Sequence, residues 1–139
     1  MALNASNIEV GLIHRAVVVE NLTRTQIVQY AGASGDYNPL HTDEVFATQV
    51  AGYPSVFAHG MLTMGMTGKM LTDYVGDGRL TLFGGRFTSQ VWPGDTLTAM
   101  ATVTALRVES GVSVADFEVV TENQSGVAVF SGSATARLD

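Results

Sequence analysis

Met61-Leu62-Thr63-Met64-Gly65-Met66-Thr67-Gly68-Lys69-Met70-Leu71-Thr72-Asp73-Tyr74-Val75, introduced by His59-Gly60, decides the fold. The stretch has no proline and no strand-like alternation, so it predicts one main helix from Met61 to Val75. It is rich in methionine, and Gly65 and Gly68 cost helix stability while leaving room for another backbone to come close. Such a helix is expected to be buried. From Arg79 onward the pattern changes to Thr and Val alternations, broken by Trp92-Pro93-Gly94-Asp95, Ser110-Gly111 and Asn123-Gln124-Ser125-Gly126. That punctuation predicts three or four antiparallel strands.

On the other side of the helix, Ala16-Val17-Val18-Val19 is a β-branched run that reads as a strand. Thr23 followed by Gln26 forms a capping-box pattern, so a helix should begin near Arg24, with Ile27, Val28, Tyr30 and Ala31 at helical spacing. Gly32, Ser34 and Gly35 weaken that helix and Pro39 forbids its regular continuation. From Thr42 to Val50 a short helix is expected, with acids in its first turn and its end before Gly52 and Pro54. The fold class implied is α+β: one domain over residues 1–139, a long antiparallel sheet with a central helix packed on it.

At 139 residues the chain can bury one core and is too short for two. Hydrophobic residues make up 46% and charged ones only 14%, so part of the apolar surface is expected to lie under a partner subunit. The lack of cysteine excludes disulfides, thiolate nucleophiles and cysteine-based metal sites. The formal charge is −6, and Arg15, Arg24, Lys69, Arg79, Arg86, Arg107 and Arg137 are scattered, which argues against a nucleic-acid partner. No apolar run approaches the roughly 18 to 20 residues of a spanning helix. The start, Met1-Ala2-Leu3-Asn4-Ala5-Ser6-Asn7, lacks the basic and apolar parts of a signal peptide. The expectation is a cytoplasmic protein with no membrane segment.

Chemistry gathers in Ser34-Gly35-Asp36-Tyr37-Asn38-Pro39-Leu40-His41. Asp36, Asn38 and His41 lie close together around a Gly and a Pro, where irregular backbone can aim several side chains at one place. A carboxylate and an imidazole together can position a water and move its proton, and Asn38 can hold the loop or a substrate group. The residue types equally allow Asp36 and Asn38 to be turn residues bonded to local backbone, with His41 at a helix N-terminus. His59-Gly60 precedes the main helix, so the Gly60 N–H should be an unpaired donor at its positive end, suited to an oxyanion. Alternatively, Gly60 permits a tight turn and His59 is structural. His14, alone among polar residues, reads as a surface side chain. Asp36, His41, Glu44 and His59 are of metal-ligating types, but the spacing of His41 and Glu44 is weak support, and neither a metal nor a cofactor is expected.

The loop from Ser34 to His41, followed after five residues by Ala47, resembles the signature of the MaoC-like, (R)-specific enoyl-CoA hydratases. The resemblance continues through Ala58-His59-Gly60-Met61-Leu62 and, more loosely, through Arg86-Phe87 and Pro93-Gly94-Asp95-Thr96-Leu97. Ala33 stands where the family usually has a larger aliphatic residue or Gly, which leaves the polar positions intact. The resemblance implies a single hotdog fold, a sheet wrapped around a long central helix, and pairing of such subunits as homodimers or heterodimers. It implies Asp36 and His41 holding a water against the β-carbon of a trans-2-enoyl thioester. Gly60 N–H would stabilise the thioester oxygen, with Asn38 and His59 supporting the loop or binding substrate.

The reaction implied is hydration to a (3R)-hydroxyacyl thioester and its reversal. An acidic chain without an evident basic patch favours acyl-CoA over an acyl-ACP substrate, since a carrier protein is itself acidic. The stretch Ala58-His59-Gly60-Met61-Leu62-Thr63-Met64-Gly65 is also similar to the catalytic member of heterodimeric acyl-ACP dehydratases of actinobacterial fatty-acid elongation, so activity only with a partner is an alternative. A hotdog thioesterase is disfavoured because Met61 to Thr72 holds no acid and Asp73 lies well down the helix. Phe57, Met61, Leu62 and Met64 read more simply as core than as an acyl tunnel.

Overall fold

A computed structural model describes residues 3–138. Met1 and Ala2, part of the start read above, lie outside the described residues, as does Asp139. The elements in order are β1 (Ile13–Val19), α1 (Arg24–Ser34), α2 (Pro39–Thr42), a π-helical turn (Phe46–Val50), α3 (Gly60–Val75), β2 (Leu80–Phe87), β3 (Leu97–Glu109), β4 (Val112–Glu122) and β5 (Ala128–Arg137). Four strands follow the main helix, and the five form one antiparallel sheet in the order β1-β3-β4-β5-β2. Each pairing contains a register shift, the kind of irregularity that bends and twists a strand, and the sheet curves around α3.

The buried face of the sheet is lined with small residues, which lets the helix sit close. Ala99, Ala101, Ala115, Ala134 and Ala136 share a core with Phe117, Val119 and Phe130, and α3 contributes Met70, Leu71 and Val75 to it. Thr67 ties helix to sheet: its hydroxyl donates to the Thr63 carbonyl at 2.9 Å and bonds the Thr121 hydroxyl at 2.7 Å. A second cluster of Val19, Leu22, Ile27, Ala58, Val91, Leu97 and Val129 fixes α1 against the N-terminal end of α3.

Three details differ from expectation. Gly68 meets the Phe83 ring, whose Cε2 would lie 3.3 Å from an added Cβ, and Gly65 faces open space, so neither glycine admits a neighbouring backbone. The close backbone approach occurs instead between β2 and β5, where a Cβ on Gly132 would collide with the Gly84 carbonyl. His14 is not a free surface side chain: its ring stacks on Tyr74 with centroids 4.0 Å apart. The expected helix from Thr42 to Val50 is divided between the end of α2 and the π-helical turn, with a break at Asp43. The capping box at Thr23 and Gln26 forms as read.

Candidate active site

The loop is built by two terminations in succession. Helix α1 stops because Gly35 takes the left-handed conformation with φ 76°, its N–H bonding the Ala31 carbonyl. Asp36 then makes a local turn, its Oδ1 accepting from Asn38 N–H at 3.2 Å, and Asn38 in turn caps α2 by accepting from Leu40 N–H at 3.0 Å. Pro39 starts α2 instead of breaking a helix, because its missing N–H has no partner there to lose. His41 therefore stands on one turn of helix and not on irregular backbone, while Asp36 stays on the irregular part.

The His41 ring is 9% exposed and points inward. Its Nδ1 lies 2.6 Å from the Phe57 carbonyl, an oxygen that only accepts, so Nδ1 carries the proton and Nε2 keeps its lone pair. That Nε2 is 3.9 Å from Asp36 Oδ2, too long for a hydrogen bond and short enough for one water to touch both. Burial pushes the His41 pKa below 6.5 and His59 adds to that push; the Phe57 carbonyl and the Asp36 charge oppose it. The imidazole is thus neutral near pH 7.

His59 is 2% exposed and stacks on His41 with ring centroids 3.8 Å apart. Its Nε2 donates to the Asp36 carbonyl at 3.0 Å, which ties the loop to the start of α3. Asn38 and His59 therefore both hold the loop. The donor atoms of Asp36, His41 and His59 lie within 4.8 Å of one another. Glu44 is elsewhere, paired with Arg24 at 2.6 Å.

Gly60 is the first residue of α3, and its N–H has no intrahelical acceptor. It lines a cleft of about 270 Å³ together with Phe57, Thr63, Phe87, Gln90 and Val129. Any Cβ on Gly60 would come within 2.7 Å of the Phe87 ring, so the residue is fixed by packing as well as by position. Of the four apolar residues weighed for an acyl tunnel only Phe57 lines this cleft; Met61 is exposed, and Leu62 and Met64 pack against the two cores. Thr63 and Gln90 were not singled out in the sequence. A threonine in the first turn of a helix and a glutamine in the irregular segment after β2 carry no motif of their own.

The MaoC-like domain family matches residues 11–125, most of the chain. The chain belongs to this family. Among MaoC-like proteins it is 29% identical over 139 residues to the (R)-specific enoyl-CoA hydratase of Aeromonas caviae, covering 98% of this chain and 99% of that one. The solved structure of the (R)-hydratase from A. caviae involved in PHA biosynthesis superposes with a TM-score of 0.83 at 30% identity, covering 97% of this chain and 100% of that chain. The hotdog fold read from the sequence is thus the fold observed. The 3-hydroxyacyl-thioester dehydratase Y of Mycobacterium tuberculosis is 43% identical over 89 residues, 62% of this chain and 29% of its own. The peroxisomal enoyl-CoA hydratase 2 of Arabidopsis thaliana is 42% identical over 78 residues, 54% of this chain and 25% of its own. The chain therefore spans under a third of those two larger MaoC-like relatives.

Proposed function

We propose that the chain adds water to trans-2-enoyl thioesters to give (3R)-hydroxyacyl thioesters and catalyses the reverse dehydration, with CoA as the carrier. The observation that carries this is the 3.9 Å gap between His41 Nε2 and Asp36 Oδ2, linked through Phe57, which bonds His41 and lines the cleft at the free end of α3. A water in that gap is gripped by two acceptors, and its oxygen is left to attack the β-carbon. His41 takes the proton, negative charge moves to the thioester oxygen, and Gly60 N–H stabilises it. The imidazolium then returns the proton to the α-carbon, so the net addition is one water. In reverse the same groups remove it.

The (R) stereochemistry and the thioester substrate follow the names of the relatives. The carrier follows from charge. Arg24, Lys69 and Arg107 are paired with carboxylates, while Arg15, Arg79, Arg86 and Arg137 keep their charge on a chain of formal net charge −6, a weak attraction for an acidic carrier protein.

A second hotdog subunit completes the protein in this reading. The Asp36 side chain is 53% exposed, too open for a site that must exclude bulk water, and Met61, Leu82 and Phe87 expose apolar surface along α3 and the β2 edge. The subunit is a second copy or a related chain. Purified protein assayed with trans-2-enoyl-CoA across chain lengths, with its mass measured in solution, tests both statements. An active dimer supports a homodimer and an inactive monomer points to a missing partner. Release of free thiol from saturated acyl-CoA, with no hydration, would replace the proposal by a thioesterase.

A further inference from the structure

Two buried side-chain atoms have no hydrogen-bond partner among the described residues: His59 Nδ1 and Thr63 Oγ1. An unpartnered hydroxyl is unusual in a native interior, because leaving a buried donor unsatisfied costs about 1–3 kcal/mol. Thr63 is 1% exposed. A helical threonine ordinarily relieves that cost by donating to the carbonyl four residues back. Thr67, one turn further along α3, does so, bonding the Thr63 carbonyl. Thr63 does not: the carbonyl four residues back, His59 O, accepts the N–H groups of Leu62 and Thr63 instead.

The position of this hydroxyl is informative. Gly60 and Thr63 are three residues apart on α3, so they share a face, and helical side chains lean back toward the N-terminus. Both line the same cleft. We propose that the Thr63 hydroxyl is a second hydrogen-bond donor to the thioester carbonyl of the substrate, acting beside Gly60 N–H. This rests on the hydration reading and adds a residue to it. A developing oxyanion has more than one lone pair to satisfy, and a single backbone N–H leaves room for another donor. The hydroxyl sits on the first turn of a packed helix and is enclosed by the core, so few groups other than a substrate in the cleft compete for its proton. Its cost in the free protein is repaid when the carbonyl binds.

The test separates this role from a structural one. Thr63→Val keeps the shape and removes the hydroxyl; Thr63→Ser keeps the hydroxyl. Each is measured for hydration of crotonyl-CoA and for thermal stability beside the wild type. The expected result for Thr63→Val is a kcat lower by about 10²- to 10³-fold, with KM nearly unchanged and a Tm equal to or above wild type; Thr63→Ser should restore most of the rate. An active wild type with an equally active Thr63→Val overturns the inference alone. Loss of rate accompanied by a fall in Tm, both restored by Ser, assigns the hydroxyl a structural partner and also overturns it. A wild type without hydratase activity removes the underlying reading, and this one with it.

Discussion

The imidazoles of His41 and His59 stack 25° from parallel, and each uses one nitrogen on a backbone carbonyl, His41 on Phe57 and His59 on Asp36. The pair clamps the loop to the start of α3, so the groups proposed to handle water and the donor proposed to stabilise the oxyanion are held by the same contact. Tyr30 adds an edge contact on His59, with centroids 4.8 Å apart, which joins α1 to the clamp.

His59→Phe keeps an aromatic ring against His41 and loses the bond to the Asp36 carbonyl. The expected outcome is a kcat reduced by about tenfold, because Asp36 shifts, and a destabilisation of about 1 kcal/mol. Urea unfolding alongside steady-state kinetics checks it. Wild-type values in both would mean that the clamp has no role.

The pH dependence follows from His41. Its folded pKa lies below 6.5, so the folded protein takes up this proton at lower pH than the unfolded chain does. The stability that neutral His41 contributes is full above 6.5 and is lost as pH falls through the lower, folded pKa. The acid limb of kcat should likewise fall below pH 6.5. Asp36→Asn removes a charge that raises the His41 pKa, so an NMR titration of His41 in that variant should move further down. An upward shift would contradict the assignment.

Gly60→Ala places a methyl within 2.7 Å of the Phe87 ring. A loss of about 1–3 kcal/mol is expected from overpacking, with turnover falling as the first turn of α3 is displaced. Combining it with Phe87→Ala should relieve the clash and recover part of the Tm difference from Phe87→Ala alone. Thermal melts of the four proteins form the double-mutant cycle.

Chelation addresses the cluster of Asp36, His41 and His59, whose residue types fit a metal. In the proposed mechanism a water needs only His41 and Asp36, so hydration should be unchanged after exhaustive treatment with EDTA. Loss of activity that added zinc restores would assign these residues to a metal instead.

The order of elements was legible in the sequence because its signals are local: the capping box at Thr23, the Pro-Gly-Asp turn, and the change of period at Arg79. The loop was legible as a cluster of Asp36, Asn38 and His41 for the same reason. What was not legible depends on contacts far apart in the chain. Nothing in the pattern around His14 says that Tyr74, on another element, will cover it. Pro39 reads as a breaker until Asn38 is seen to cap the turn it begins. Thr63 looks like any helical threonine, and only the tertiary structure reveals that its hydroxyl is buried without a partner.

The most direct test of the account is hydration of crotonyl-CoA by the wild type, Asp36→Asn and His41→Ala, with chiral analysis of the product. The account predicts (3R)-hydroxybutyryl-CoA from the wild type and a kcat lower by about 10² to 10⁴ in each variant, with KM changed little. Near-normal hydration by both variants, or a (3S) product from the wild type, would contradict it.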